Sequence, residues 1–235
     1  MRVHLLAVVL LGFSCAARPM QMGNGVEFDT LRQRMVSEQL KARDITDSRV
    51  LRAMETVPRH LFVPPEQQQL AYIDGPLPIG EGQTISQPYI VALMTQMVEP
   101  REDHRILEVG TGSGYQAAVL SLLCGEVYSI EIIPELARQA SRRLKDLGYA
   151  NVTTRTGNGY LGWPEAAPFD GILVTAGATE IPPALVAQLK PGGRMVIPVG
   201  ASLASQVLKI VEKDRAGQIQ IHDRIPVRFV PLRKE

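Results

Sequence analysis

The chain has 235 residues, 45% hydrophobic and 21% charged, ordinary values for one large globular domain or a domain with a modest appendage. Lys plus Arg number 25 against 24 Asp plus Glu, a balance that carries no electrostatic footprint for nucleic acid. The two cysteines, Cys15 and Cys124, are far apart and lack metal-ligand spacing; Cys124, in the run AAVLSLLC, reads as a small buried hydrophobe.

Residues 1–17, MRVHLLAVVLLGFSCAA, place Arg2 before an apolar run from Leu5 to Phe13 and then small residues. This is the build of a short secretory signal, too short for a permanent membrane span. An over-long start or a buried strand is the alternative. Residues 18–27 read as a linker. From Phe28 to Arg43 the apolar residues Phe28, Leu31, Met35, Val36 and Leu40 recur at helical spacing. Asp44–Asp47 breaks that pattern and supplies caps for a second helix over 48–56. The prolines of VPRHLFVPP make that stretch extended or turning. PIGEGQTISQP (78–88) is too broken for a strand, too rich in glycine for a helix and too polar for core. Pro88 then suits the first turn of a helix through YIVALMTQMV.

After Pro100 strands and helices alternate. RILEVG, EVYSIEI, NVTTRTG, GILVTAG and RMVIPVG read as strands, and YQAAVLSLL, PELARQASRRLKDLG and PALVAQL as helices. QVLKIVEK and QIQIHDRIPVRFVPL follow with no helix between them, as an antiparallel hairpin would. The expected class is α/β, a Rossmann-like and mostly parallel sheet covered on both faces.

The strongest chemical signal is Glu108-Val109-Gly110-Thr111-Gly112-Ser113-Gly114, between the first clear strand and a helix. Glycines there let a backbone turn sharply against a ligand at the carboxyl end of a strand. The dinucleotide fingerprint would need glycine where Tyr115 stands, and the lysine of a phosphate-binding P-loop is missing. An acidic residue two before GxGxG is instead the pattern of S-adenosylmethionine-dependent methyltransferases. Glu131, 21 residues after Gly110 at the end of the next strand, can accept from both ribose hydroxyls. Asn158, in Gly-Asn-Gly after the third strand, is either a reader of the adenine edge or a turn asparagine.

Over about 31–232 the sequence resembles the protein-L-isoaspartate O-methyltransferase family. The resemblance rests on VPRHLFVP, YIDGPLPIGEGQTISQPYIVALM, ILEVGTGSGYQAAVLS, PFDGILVTAGATEIPPALVAQLKPGGRMVIPVG and FVPL. It implies a seven-stranded methyltransferase sheet with N-terminal helices and a rearranged C-terminal edge. The implied reaction moves the sulfonium methyl of S-adenosylmethionine to the free α-carboxylate of L-isoaspartyl residues in damaged proteins and peptides. The family's critical serine matches Ser86. Asn158 stands where the family commonly has Asp, which keeps an acceptor oxygen and loses the charge. Residues 28–235 would form the methyltransferase domain, with 28–100 supplying helices and acceptor loop and 101–235 the cofactor-binding core. The family is usually cytoplasmic, whereas a working leader would mean export. A monomer is expected, with no nucleic-acid partner, metal or stable membrane span.

A carboxylate with an ordinary pKa near ~4 is already a nucleophile at neutral pH, so no general base is needed. His60 is accordingly expected to pack or hydrogen-bond behind the loop. What the reaction needs is alignment, with reacting atoms ~3–3.5 Å apart. Thr84, Ser86 and the backbone amides around them can hold an anion without adding a competing charge. Ser86 is read as an orienting residue, not a covalent nucleophile; capping of the following helix by Thr84 and Ser86 is the compatible alternative. Two rivals remain: a methyltransferase acting on another carboxylate or a small molecule, and a cofactor-binding module without chemistry.

Overall fold

The computed structural model describes residues 24–234, so the leader expectation at 1–17 lies outside the described residues. Helix α1 (Asn24–Arg34) begins inside the stretch read as linker and continues through a wider π-type turn at Met35–Lys41. The extension has a packing reason: Phe28, Met35, Val36 and Leu40 form one buried stripe. Helix α2 (Ser48–Thr56) has the bounds read from the sequence. The Asp47 side chain accepts from the Arg49 N–H at its start, and Val57 turns extended before Pro58 at its end. Two 3-10 turns, Arg59–Phe62 and Pro65–Leu70, lead to the polar loop.

That loop corrects the first reading. It is a two-stranded antiparallel hairpin, β1 (Leu77–Gly80) and β2 (Gln83–Ile85), with Leu77 opposite Ile85 and Pro78 opposite Thr84. Its strands are too short for their alternation to stand out. The glycines serve the turn, where Glu81 and Gly82 have φ of 52° and 67°. Leu77, Ile79 and Ile85 are buried, so one face of the hairpin is core after all. Helix α3 (Pro88–Val98) follows, with proline in its first turn, and is buried nearly all round between the N-terminal helices and the sheet.

The sheet comprises β3 (Arg105–Val109), β4 (Glu126–Glu131), β5 (Val152–Thr156), β6 (Phe169–Val174), β7 (Leu189–Val199), β8 (Val207–Lys213) and β9 (Ile219–Pro226), in the order β5-β4-β3-β6-β7-β8-β9. The first five are parallel, β8 is antiparallel to β7, and β9 pairs with β8 as the expected hairpin. Helices α4 (Tyr115–Ser121), α5 (Pro134–Asp146) and α6 (Pro183–Gln188) cross between strands. Ile106 joins the core beneath α3 and α4, while Leu107 and Val109 join the core on the opposite face. A strand covered on both sides needs such a continuous apolar run. Cys124 is buried as expected, and burial pushes its thiol pKa up to about 12. No helix among the described residues is long and apolar enough to cross a membrane.

The chain leaves β3 toward β4 and β5 on one side, then returns to β6 and β7 on the other. The carboxyl ends of β3 and β6 therefore flank the point where the winding reverses, the place where open α/β sheets leave a crevice.

Candidate active site

The glycine loop leaves β3 at this crevice. Gly110 has φ of 102°, and a Cβ there would stand 2.4 Å from the Thr175 hydroxyl oxygen, so both geometry and space require glycine. Thr175, at the end of β6, donates to the Gly110 carbonyl at 2.6 Å. The Gly110 and Thr111 N–H groups donate to the Ile130 carbonyl, and the Gly112 N–H donates to Glu131 Oε2 at 2.8 Å. Glu131 Oε1 accepts the Ile133 N–H at 3.0 Å, so its carboxylate ties the loop to the approach of α5. Each oxygen of that carboxylate retains capacity for a further donor. Gly114 starts α4 with φ of 88°, and a Cβ there would press on Leu144; its role is the turn into the helix, outside the cleft lining.

Glu108 lies wholly buried beneath this loop. Its Oε2 accepts from the Ser129 hydroxyl, which shares a 2.6 Å hydrogen bond with Thr111 Oγ1, while Oε1 is without a partner among the described residues. Burial pushes its pKa up to about 8, with the nearby Glu131 charge adding to the rise and the Ser129 hydrogen bond opposing it.

The loop forms one wall of a cleft with about 750 Å³ of unfilled space, its solvent-open part included. Glu108, Gly110, Gly112, Glu131, Ile132 and Ile133 belong to the lining, together with Thr84 and Ser86 of the hairpin segment. A second cleft of about 1150 Å³ on the same measure runs between Pro76, Gln87 and Ile90 and the segment from Pro226 to Val230. The two share Thr84, Ser86, Thr175 and Val230. They meet along these four residues.

The hairpin's alternation explains this placement: Ile85 points into the core, leaving Thr84 exposed and Ser86 half-buried at the junction. Neither hydroxyl bonds another described residue. Helix α3 starts at Gln87 with no side-chain cap, so neither residue is the cap that the sequence allowed. His60 lies away from both clefts, stacked on Phe28 at 4.1 Å with Nδ1 2.8 Å from the Tyr72 hydroxyl. Burial lowers its pKa, with Arg32 nearby adding to the drop.

Asn158 stands next to Gly159, which lines the first cleft, while Asn158 itself is outside that lining. Its Oδ1 accepts the Tyr160 N–H at 2.9 Å and its Nδ2 donates to the Lys234 carbonyl at 2.7 Å, so both ends of the amide are engaged. It is a turn residue with φ of −77°, and it holds the C-terminal tail. That tail is the part of the site that residue-by-residue reading missed. Val230 to Arg233 line the first cleft, and Arg228 faces the second. Gln206 bonds both the N–H and the carbonyl of Phe229, and Gly177 donates to the Val230 carbonyl and accepts from Leu232. Only the alternation of buried Val227 and Phe229 with exposed Arg228 hinted at a structured strip.

The family model for protein-L-isoaspartate(D-aspartate) O-methyltransferase matches residues 30–235. The chain belongs to the protein-L-isoaspartate O-methyltransferase family. Among its relatives, the protein-L-isoaspartate O-methyltransferase of Opitutus terrae is 57% identical over 100% of this chain and 98% of its own length. Protein-L-isoaspartate O-methyltransferase 1 of Nitrosospira multiformis is 55% identical over 89% and 90%. A solved protein-L-isoaspartate O-methyltransferase superposes with a TM-score of 0.77 at 31% identity, covering 85% of this chain and 65% of that one. A Plasmodium falciparum protein described as a member of the same family, solved with S-adenosyl-L-homocysteine, gives 0.75 at 28% identity, covering 87% and 99%. The seven-stranded sheet, the N-terminal helices and the antiparallel C-terminal edge are thus those of a protein-L-isoaspartate O-methyltransferase.

Proposed function

We propose that Thr84 and Ser86 orient the carboxylate of an isoaspartyl residue where the two clefts meet, and that the glycine loop and Glu131 hold S-adenosylmethionine in the first cleft. The chain is a protein-repair carboxyl methyltransferase: it methylates the free α-carboxylate of L-isoaspartyl residues in damaged proteins and peptides. The observation that carries the site assignment is the shared lining of the two clefts at Thr84 and Ser86.

The residues fit the cofactor. Glu131 has acceptor capacity left for ribose hydroxyls, and Ile132, Ile133 and Leu232 offer apolar surface to a flat base. When bound, S-adenosylmethionine supplies an electrophilic methyl on a sulfonium. Gly110 and Gly112 shape the wall, Gly114 sets the turn into α4, and Asn158 anchors the tail that lines the cleft, with one amide N–H and one acceptor lone pair left over. Thr84 and Ser86 donate to the carboxylate without adding charge, which leaves its reactive oxygen nucleophilic. Residues 28–100 thus present the acceptor and residues 101–235 the cofactor within one domain.

Incubation with labelled S-adenosylmethionine and a matched pair of peptides, one isoaspartyl and one aspartyl, tests the reading. Label on the isoaspartyl peptide alone is expected. Label on neither, or equally on both, would sink it.

A further inference from the structure

Behind the acceptor segment sits Arg59, whose side chain is 0% exposed. Its Nε donates to the Ala71 carbonyl at 2.7 Å and its Nη2 to the Ser86 carbonyl at 2.8 Å. The guanidinium carbon stands 4.9 Å from the centre of the Tyr115 ring, and Tyr115 is the first residue of α4 beyond the glycine loop. Nη1 has no partner among the described residues. Among the described residues no carboxylate pairs with the group. Burial lowers its pKa to about 10, opposed only by Tyr115 and Tyr72, so it is a cation at neutral pH.

An uncompensated buried cation costs stability, and an apolar side chain of similar shape is often tolerated as well or better. Here it would leave the Ala71 and Ser86 carbonyls without their donor. Arginine's planar fork also does what lysine's single ammonium cannot, holding two acceptors in fixed directions. The Ser86 carbonyl sets the plane of the peptide after Ser86, and the buried Ile85 side chain pins the residue before it. Those two constraints restrict the backbone of Ser86, whose side chain lines both clefts.

We propose that Arg59 is a positioning residue for methyl transfer, its fork fixing the Ser86 backbone so that the Ser86 hydroxyl faces the acceptor carboxylate. This rests on Ser86 as the orienting donor. The test compares Arg59→Lys, Arg59→Met, Ser86→Ala and the Arg59→Lys/Ser86→Ala pair in the full chain, with an isoaspartyl peptide, well below every melting temperature. Both Arg59 variants should bind S-adenosylhomocysteine within about twofold of the parent while kcat falls about tenfold or more, because small misplacements of an orienting group are amplified in rate. On the Ser86→Ala background, Arg59→Lys should cost less than about twofold further, since residues acting through one another are not additive.

Multiplication of the two losses would overturn the inference. So would an equal fall in kcat in Val50→Ala, a core variant on α2, at matched loss of melting temperature. If Arg59→Met fails to fold, Arg59→Lys carries the comparison. A parent that methylates no isoaspartyl peptide would defeat the functional reading itself, whereas an active parent with fully active Arg59 variants would defeat only the positioning role.

Discussion

The molecule has two glycine-rich loops facing one junction, and they use glycine differently. In the cofactor loop, Gly110 is hemmed in: an added Cβ would collide with Thr175. In the acceptor hairpin, Gly82 has φ of 67° and nothing within 4 Å of an added Cβ. The first loop is fixed by bonds to its own sheet, through Ile130, Glu131 and Thr175. The second is fixed from behind, by buried Ile85 and by Arg59. A loop welded to a sheet can shape a constant cofactor; a hairpin braced at its base leaves its outer side free for acceptors that differ in sequence.

The most severe test of that contrast replaces each of the two glycines by alanine. Gly110→Ala combines positive φ with overpacking and should cost about 2–5 kcal/mol, whereas Gly82→Ala should cost only about 1–2 kcal/mol for its backbone conformation. Chemical denaturation of both variants decides it, and equal losses would erase the distinction. Next is Ser86→Ala, expected to lower kcat about 100-fold, the scale for removing one preorganised donor. Cofactor affinity by calorimetry should stay within about twofold. Collapse of affinity with normal turnover of bound cofactor would move Ser86 to the other half of the site. Glu131→Ala should do the reverse, weakening S-adenosylhomocysteine about 10–100-fold, in line with charge-assisted hydrogen bonds worth about 1.5–3 kcal/mol. Unchanged binding would remove Glu131 from the ribose assignment.

The last contrast concerns Glu108, and it is confined to one pH window. Its pKa rises from 4.5 when unfolded to about 8 when folded. Between those values the folded chain holds a proton that the unfolded chain has lost, so stability falls as pH rises across this window. Glu108→Gln abolishes that slope. Without cofactor, the melting temperature of the variant should rise progressively relative to the parent from pH 5 to pH 8, by on the order of 10 °C across the window. Parallel profiles for parent and variant would show that Glu108 is charged in the fold and the contrast in burial is misread.

Much of the architecture was legible because its causes are local. Asp47 and Pro58 bracket α2, Pro134 opens α5, and the apolar run of β3 announces a strand covered on both faces. The glycine motif and Glu131 were legible because strand-end spacing places them together whatever the rest of the chain does. Other features were not. The hairpin was read as irregular, since strands of 4 and 3 residues give alternation too little length to register. Asn158 drew attention from its neighbours in sequence, but its partner is Lys234, 76 residues away. No periodicity could reveal that Val230 to Arg233 return to line the first cleft, because the path depends on Gln206 and Gly177 capturing the tail.

By itself, the sequence determined the alternation of strands and helices, the turn after β3 and the acidic residue at the end of β4, because backbone sterics and apolar periodicity act over a few residues. The tertiary structure alone decided that the two clefts share Thr84 and Ser86, that the tail lines one of them, and that Arg59 bonds the Ser86 carbonyl. Those outcomes depend on which distant groups satisfy one another's hydrogen bonds once buried, and only the packed chain fixes that.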